Sequence, residues 1–218
     1  MKNILLSVAD DQRWDMIGAL GDHRVRTPAF DALARRGTAF LNARCENGPH
    51  AAVCIPSRAA MHSGREVACA DLNCSGHSTL GEALRTAGYH TYGVGKWHNG
   101  TASFQRSFAA GDAIFFGGMH AHTGMPLHRH DPHGHYQNPT PCEKFSSVAF
   151  ADAAIQFLDN YSLDAPFLLY VAWTSPHDPR TPPAEFASLY DPGSLDLPPN
   201  FLPQHPFDNG ELHIRDEQ

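Results

Sequence analysis

The sequence predicts an α/β fold, a mostly parallel sheet sandwiched between helices. Short apolar runs at Ile4–Val8, Tyr89–Gly95 and Phe167–Trp173 read as buried strands, and helical segments alternate with them. Each run is followed by polar residues of chemical interest: Asp10-Asp11, Lys96-Trp97-His98 and Ser175-Pro176-His177. Open α/β sheets hold their ligands at that end of the strands.

The first run is closed abruptly by Ala9-Asp10-Asp11. Thr27 then serves as N-cap, Pro28 as first helical residue and Gly37 as the stop of a helix. Thr79-Leu80-Gly81-Glu82 has capping-box spacing, and its helix should end at Gly88, before the second strand. Phe145, Val148, Ala151, Ile155 and Leu158 recur at three- and four-residue steps and mark the apolar face of a further helix. Residues 117–142 hold six of the 15 histidines with little periodicity and should form a long loop. From Pro176 to Gln218 the chain is proline-rich and irregular. Residues 1–218 therefore read as one part of a domain, C-terminally truncated.

The 16 basic and 23 acidic residues leave a formal charge of −7 with no long basic run, which argues against a nucleic-acid or anionic-membrane partner. No apolar stretch approaches the roughly 20 residues of a membrane span. The run after Met1-Lys2-Asn3 is too short for a secretory leader, which implies a cytoplasmic chain if Met1 is the native start. Five cysteines (45, 54, 69, 74 and 142) are too few and uneven for a disulfide scaffold. Cys69 and Cys74 read as free thiols or packing residues, and Trp14 as core.

The sharpest local signal is Cys54-Ile55-Pro56-Ser57-Arg58, continuing to Ser63-Gly64-Arg65. Pro56 can open a helix that puts Cys54 at its positive end with Arg58 one turn along, favouring an anionic substrate and an activated nucleophile. A buried structural cysteine accounts for Cys-x-Pro alone equally well. A thiol phosphatase fits less well, because its cysteine and arginine stand six positions apart and these stand four apart. The Asp10-Asp11 carboxylates repel one another unless a cation sits between them, and all-oxygen ligands suit a hard ion such as Ca²⁺ or Mg²⁺. Taken alone, such a pair is equally a solvated turn.

The stretch from Cys54 to Arg65 resembles the signature of the type I sulfatases, formylglycine-dependent members of the alkaline-phosphatase-like superfamily. Asn3 to Asp11 is similar to that family's opening strand, Thr27 to Gly37 to its first helix, Gly95-Lys96-Trp97-His98 to its Gly-Lys-Trp-His motif, and Ser175 to Pro179 to its later histidine motif. The tail from Pro198 to Glu217 is similar to a bacterial branch.

The resemblance implies an alkaline-phosphatase-like fold and a sulfuric ester hydrolase that releases inorganic sulfate from a small-molecule or glycan ester. It implies that a modifying enzyme converts Cys54 to formylglycine, which with Asp10 and Asp11 binds Ca²⁺, or alternatively Mg²⁺. Arg58 would hold this cluster, Lys96 would bind a sulfate oxygen, and His98 would contact the formylglycine hydroxyl and assist breakdown of the sulfated intermediate. His177 would bind sulfate and protonate the leaving oxygen. The family's later Asp-Asn or Asp-His pair and second lysine have no counterpart here. Asp208-Asn209, the one candidate dipeptide, reads as a turn. The chain alone therefore should have a compromised metal site, and its own activity stays open. A phosphate or phosphonate ester hydrolase of the same superfamily and a non-catalytic fragment with an anion pocket remain as alternatives. His128, His130, His133 and His135 lack regular ligand spacing and read as an exposed loop able to line the substrate cleft.

Overall fold

The computed structural model describes residues 1–21, 24–44, 53–204 and 206–207. The chain divides into two units, residues 1–181 and 182–218. The first is built on a six-stranded sheet of order β1-β6-β2-β3-β4-β5. Its strands are β1 (Ile4–Asp10), β2 (His90–Lys96), β3 (Ala110–Phe115), β4 (Pro126–His130), β5 (Thr140–Pro141) and β6 (Phe167–Pro176). Strands β1, β6, β2 and β3 run parallel, while β4 and β5 extend the sheet antiparallel. The expected α/β architecture is present.

β6 is buried on both faces, as its unbroken apolar sequence requires. Leu168, Tyr170 and Ala172 meet one core cluster and Leu169 and Val171 the other. It runs three residues past the predicted Trp173, because its end pairs with β1 through Asp10 and Pro176. β2 passes β6 closely at Gly95, whose φ is +88°. A Cβ there would lie 1.9 Å from the Ala172 carbonyl oxygen, so only glycine fits.

The helices of this unit are α1 (Pro28–Arg36), α2 (Cys54–Ser63), α3 (Leu80–Thr86), α4 (Thr101–Ser107) and α5 (Ser146–Asn160). α3 begins with the complete capping box of Thr79 and Glu82 and ends two residues before Gly88. At α1, Thr27 holds the N-cap position without capping. Its hydroxyl instead accepts from the Gly18 N–H and donates to Asp31. No helix among the described residues is long and apolar enough to cross a membrane.

Three sequence expectations are corrected. The periodic stripe of α5 is not its buried face: Val148, Ile155 and Leu158 are 47%, 55% and 44% exposed. The helix instead turns Phe150, Ala153 and Ala154 to the sheet, with Phe157 packed beside them. The small alanines let it lie close, an advantage that a count of large apolar residues misses. Residues 117–142 are not one long loop, because β4 and β5 fall within them. Here histidines pack as aromatic residues: His130 is buried against Tyr136 and Phe104, and His128 packs on Phe116. Trp14 is 63% exposed, in a 3-10 turn at Trp14–Met16, and is not core.

Within the second unit, the expected irregular tail includes a short helix α6 (Ala184–Ala187) and a 3-10 turn at Pro192–Ser194, whose Gly193 N–H donates to Asp191. Asp208-Asn209 lies outside the described residues.

Candidate active site

The site forms where the ends of β1, β2 and β6 meet the beginning of α2. Cys54 is the first residue of α2 and Arg58 lies one turn along on the buried side. Pro56, near the start, loses no intrahelical bond for want of an N–H. Gly64 ends the helix in the left-handed conformation at φ +65°. The fully buried Asn99 ties this helix start to the end of β2, its Nδ2 donating to the carbonyls of Ile55 (3.0 Å) and Leu72 (2.7 Å).

Asp10 ends β1 and is 5% exposed between two cations. The Lys96 ammonium, at the end of β2 and wholly buried, donates to Oδ2 at 2.5 Å, and Arg58 Nη2 lies 3.6 Å from Oδ1. Lys96 Nζ also reaches Cys54 Sγ at 3.4 Å. One carboxylate against two fixed cations leaves an excess of positive charge beside Cys54. In a poorly solvated setting that excess attracts an anion strongly.

His98 completes the contact set, its Nδ1 3.1 Å from Cys54 Sγ. Burial, then the charges of Lys96 and Arg58, lower its pKa below the ordinary histidine value, so the ring is neutral near pH 7. The loop after β3 closes on this ring at Gly118, where an added Cβ would lie 2.6 Å from His98 Cε1. His177, just past β6, is close enough to add to the electrostatic lowering at His98. Its Nδ1–H donates to the Asp178 carbonyl at 3.0 Å, with the Asp178 carboxylate 3.1 Å away. His122 secures this segment: its Nδ1 contacts Ser146 Oγ at 2.7 Å, and it also hydrogen-bonds the Pro179 carbonyl.

Asp10, Cys54, Arg58, Lys96 and His98 thus converge, with His177 nearby. Asp11 does not join them. It is more than half exposed, adopts φ +63°, and its carboxylate meets Arg180 Nη2 at 3.2 Å. Asp11 lies past the end of β1 in a left-handed conformation, and this bend of the backbone carries its carboxylate away from that of Asp10. Among the described residues no group of three His, Cys, Asp or Glu is arranged to hold a metal ion. The set proposed from sequence, Asp10, Asp11 and Cys54, therefore does not fit a hard divalent cation as it stands. Both carboxylates already face cationic side chains. Tyr170 and Asn99 were not singled out from sequence. Tyr170 lay hidden as one apolar letter of a strand, and Asn99 carried no local signal.

Comparison with known proteins gives the family and the fold. The family model described as Sulfatase matches residues 2–198. The ulvan-active sulfatase of Formosa agariphila is 28% identical over 214 residues, covering 93% of this chain and 41% of the relative. Human iduronate 2-sulfatase is 29% identical, covering 91% and 39%. This chain spans about 40% of the length of these curated relatives. A protein solved with its substrate D-glucosamine-2-N,6-O-disulfate superimposes with a TM-score of 0.69 at 24% identity, over 81% of this chain and 35% of that one. One solved with a neocarrahexaose gives 0.71 at 23% identity, over 89% and 49%.

Proposed function

The chain belongs to the sulfatase family, and on that footing we propose that it carries the nucleophile-bearing part of a sulfuric ester hydrolase acting on a sulfated organic substrate. The observation that carries this reading is the placement of Cys54 Sγ within contact of both His98 Nδ1 and Lys96 Nζ, the lysine being paired in turn with Asp10. A sulfate ester is anionic and a poor electrophile, so a site for it must supply positive charge and a strong nucleophile.

The family generally uses a formylglycine and a divalent metal. A formylglycine formed from Cys54 by a modifying enzyme would, once hydrated, supply the attacking hydroxyl. The residues of this chain do the rest. Lys96 draws a sulfate oxygen toward position 54. Arg58 holds that position from below, where its planar fork fixes orientation as a lysine would not. The neutral His98 accepts a proton at Nδ1 from the group at position 54. His177, when protonated, gives its proton to the leaving oxygen as the ester's S–O bond breaks. No step is assigned to a metal, because the described residues do not assemble a site for Ca²⁺ or Mg²⁺. A sulfated carbohydrate is the proposed substrate class, supported by relatives named for ulvan, iduronate and N-acetylgalactosamine sulfates.

Mass spectrometry of the peptide containing Cys54, after co-expression with a formylglycine-generating enzyme, tests the proposal. An aldehyde in place of the thiol is expected, and an unmodified thiol counts against it. Rates of a longer, complete protein on paired aryl sulfate and aryl phosphate esters separate the sulfatase from a phosphate or phosphonate hydrolase. A second reading, an anion-binding module without turnover, is favoured by the engagement of Asp10 with Lys96 and Arg58. It holds for this chain if added Ca²⁺ yields no hydrolysis while the chain still binds inorganic sulfate.

A further inference from the structure

Arg58 is held by more than its neighbours in the motif. Its Nη1 donates twice, to the Lys96 carbonyl at 3.0 Å and to the Tyr170 hydroxyl at 3.0 Å. One Nη carries two hydrogens, and here both are used. A single bond to Lys96 would let the guanidinium plane swing about that contact. The second bond, to a side chain on a different strand, fixes the plane, and Nη2 is thereby presented to Asp10.

Tyr170 can serve as an anchor because it cannot move. It is 1% exposed in the middle of β6. Its ring stacks on Phe108 at 5.6 Å, meets Trp97 edge-on at 5.9 Å, and meets His62 edge-on at 5.1 Å. His62 is an odd member of this cage. It lies one turn beyond Arg58 on α2, is 3% exposed, packs 4.3 Å from Trp97, and its Nε2 is buried with no hydrogen-bond partner among the described residues. An aliphatic residue would fill that space without stranding a polar atom. The imidazole is thus costly for folding, and its edge-on contact with Tyr170 is where it acts.

We propose that Tyr170 and His62 are positioning residues: Tyr170 fixes the plane of Arg58 through its hydroxyl, and His62 braces Tyr170 from the helix that carries Arg58. This rests on the sulfatase reading only for its catalytic consequence. The geometric claim concerns the chain itself.

The test uses the full chain with Tyr170→Phe and His62→Leu, followed by nitrogen-15 NMR of the Arg58 side chain and by thermal unfolding. In the parent chain the Arg58 Nη hydrogens should be resolved and slow to rotate. Tyr170→Phe keeps the ring and should lose that signature, with a fall in melting temperature no greater than the loss of one buried hydrogen bond brings. His62→Leu should melt at the same or a higher temperature yet broaden the Arg58 signals. A merely structural role would move the two readouts together. Arg58 signals unchanged in Tyr170→Phe overturn the proposal, as does an ordered Arg58 in a stabilised His62→Leu. In a longer, active protein, Tyr170→Phe should lower kcat about tenfold with KM nearly unchanged. Absence of turnover in the parent would overturn the enzymatic reading and leave the NMR result to decide this one.

Discussion

Lys96 and Asp10 lie 86 positions apart in sequence, and their side chains form a buried ion pair at the heart of the site. The lysine is wholly buried and the carboxylate nearly so. Such a pair contributes little net stability when intact, yet removing one member strands the other in a medium that solvates it poorly. The pair also explains why the charge beside Cys54 is positive although a carboxylate sits there.

Asp10→Asn should therefore destabilise the chain by about 3–5 kcal/mol, because Lys96 and Arg58 lose their shared carboxylate. Adding Lys96→Met should restore part of the loss, because one of the two stranded cations is gone. Urea unfolding of the two single variants and the double variant checks this, and strict additivity would mean that the pair does not interact.

Stability should fall in acid, with His62 as an identifiable contributor. Burial first, and the charge of Arg58 second, lower its pKa from 6.5 to about 3. The unfolded chain takes up this proton near 6.5 and the folded chain resists it to about 3. Stability is thus complete above the first value and declines toward the second, by up to roughly 1.4 kcal/mol per pH unit for one group. His90, His98, His122 and His130 shift in the same direction. His62→Leu should leave a shallower curve, lower in slope by one proton, in urea titrations across this range.

Asn99→Leu removes both donors that Ile55 and Leu72 share. Each buried carbonyl left unpaired costs about 1–3 kcal/mol. Hydrogen exchange should quicken at the start of α2 before it changes in β6, and uniform quickening would deny Asn99 its local role.

Gly95→Ala should prevent folding, since its Cβ would overlap the Ala172 carbonyl. Gly64→Ala, at a similar positive φ but with nothing within 4 Å, should cost only the roughly 1–2 kcal/mol of left-handed strain. Circular dichroism of the two variants separates a steric requirement from a conformational preference.

Strands β1, β2 and β6 were legible because apolar runs and abrupt polar ends are local signals, whereas β3, β4 and β5 went unread. Cys54, Arg58, Lys96 and His98 were named by their likeness to family motifs, and their side chains lie in one connected set of contacts with Asp10. Asp11 did not join them, because it lies past the strand end at a positive φ and a two-letter motif carries no direction. The face of α5 was misread because its large residues point outward while alanines make the contact. Tyr170 was invisible for a different reason: its use depends on a partner 112 positions away.

The sheet begins with β1, whose backbone is bonded, among the described residues, on one side only, to β6. Leu5, on one face of this strand, is 61% exposed. A seven-residue strand in this condition is a template for foreign strands. The practical consequence concerns storage and concentration: the chain alone should drift toward strand exchange and fibrous precipitate, and a lysine at position 5 is the simplest guard.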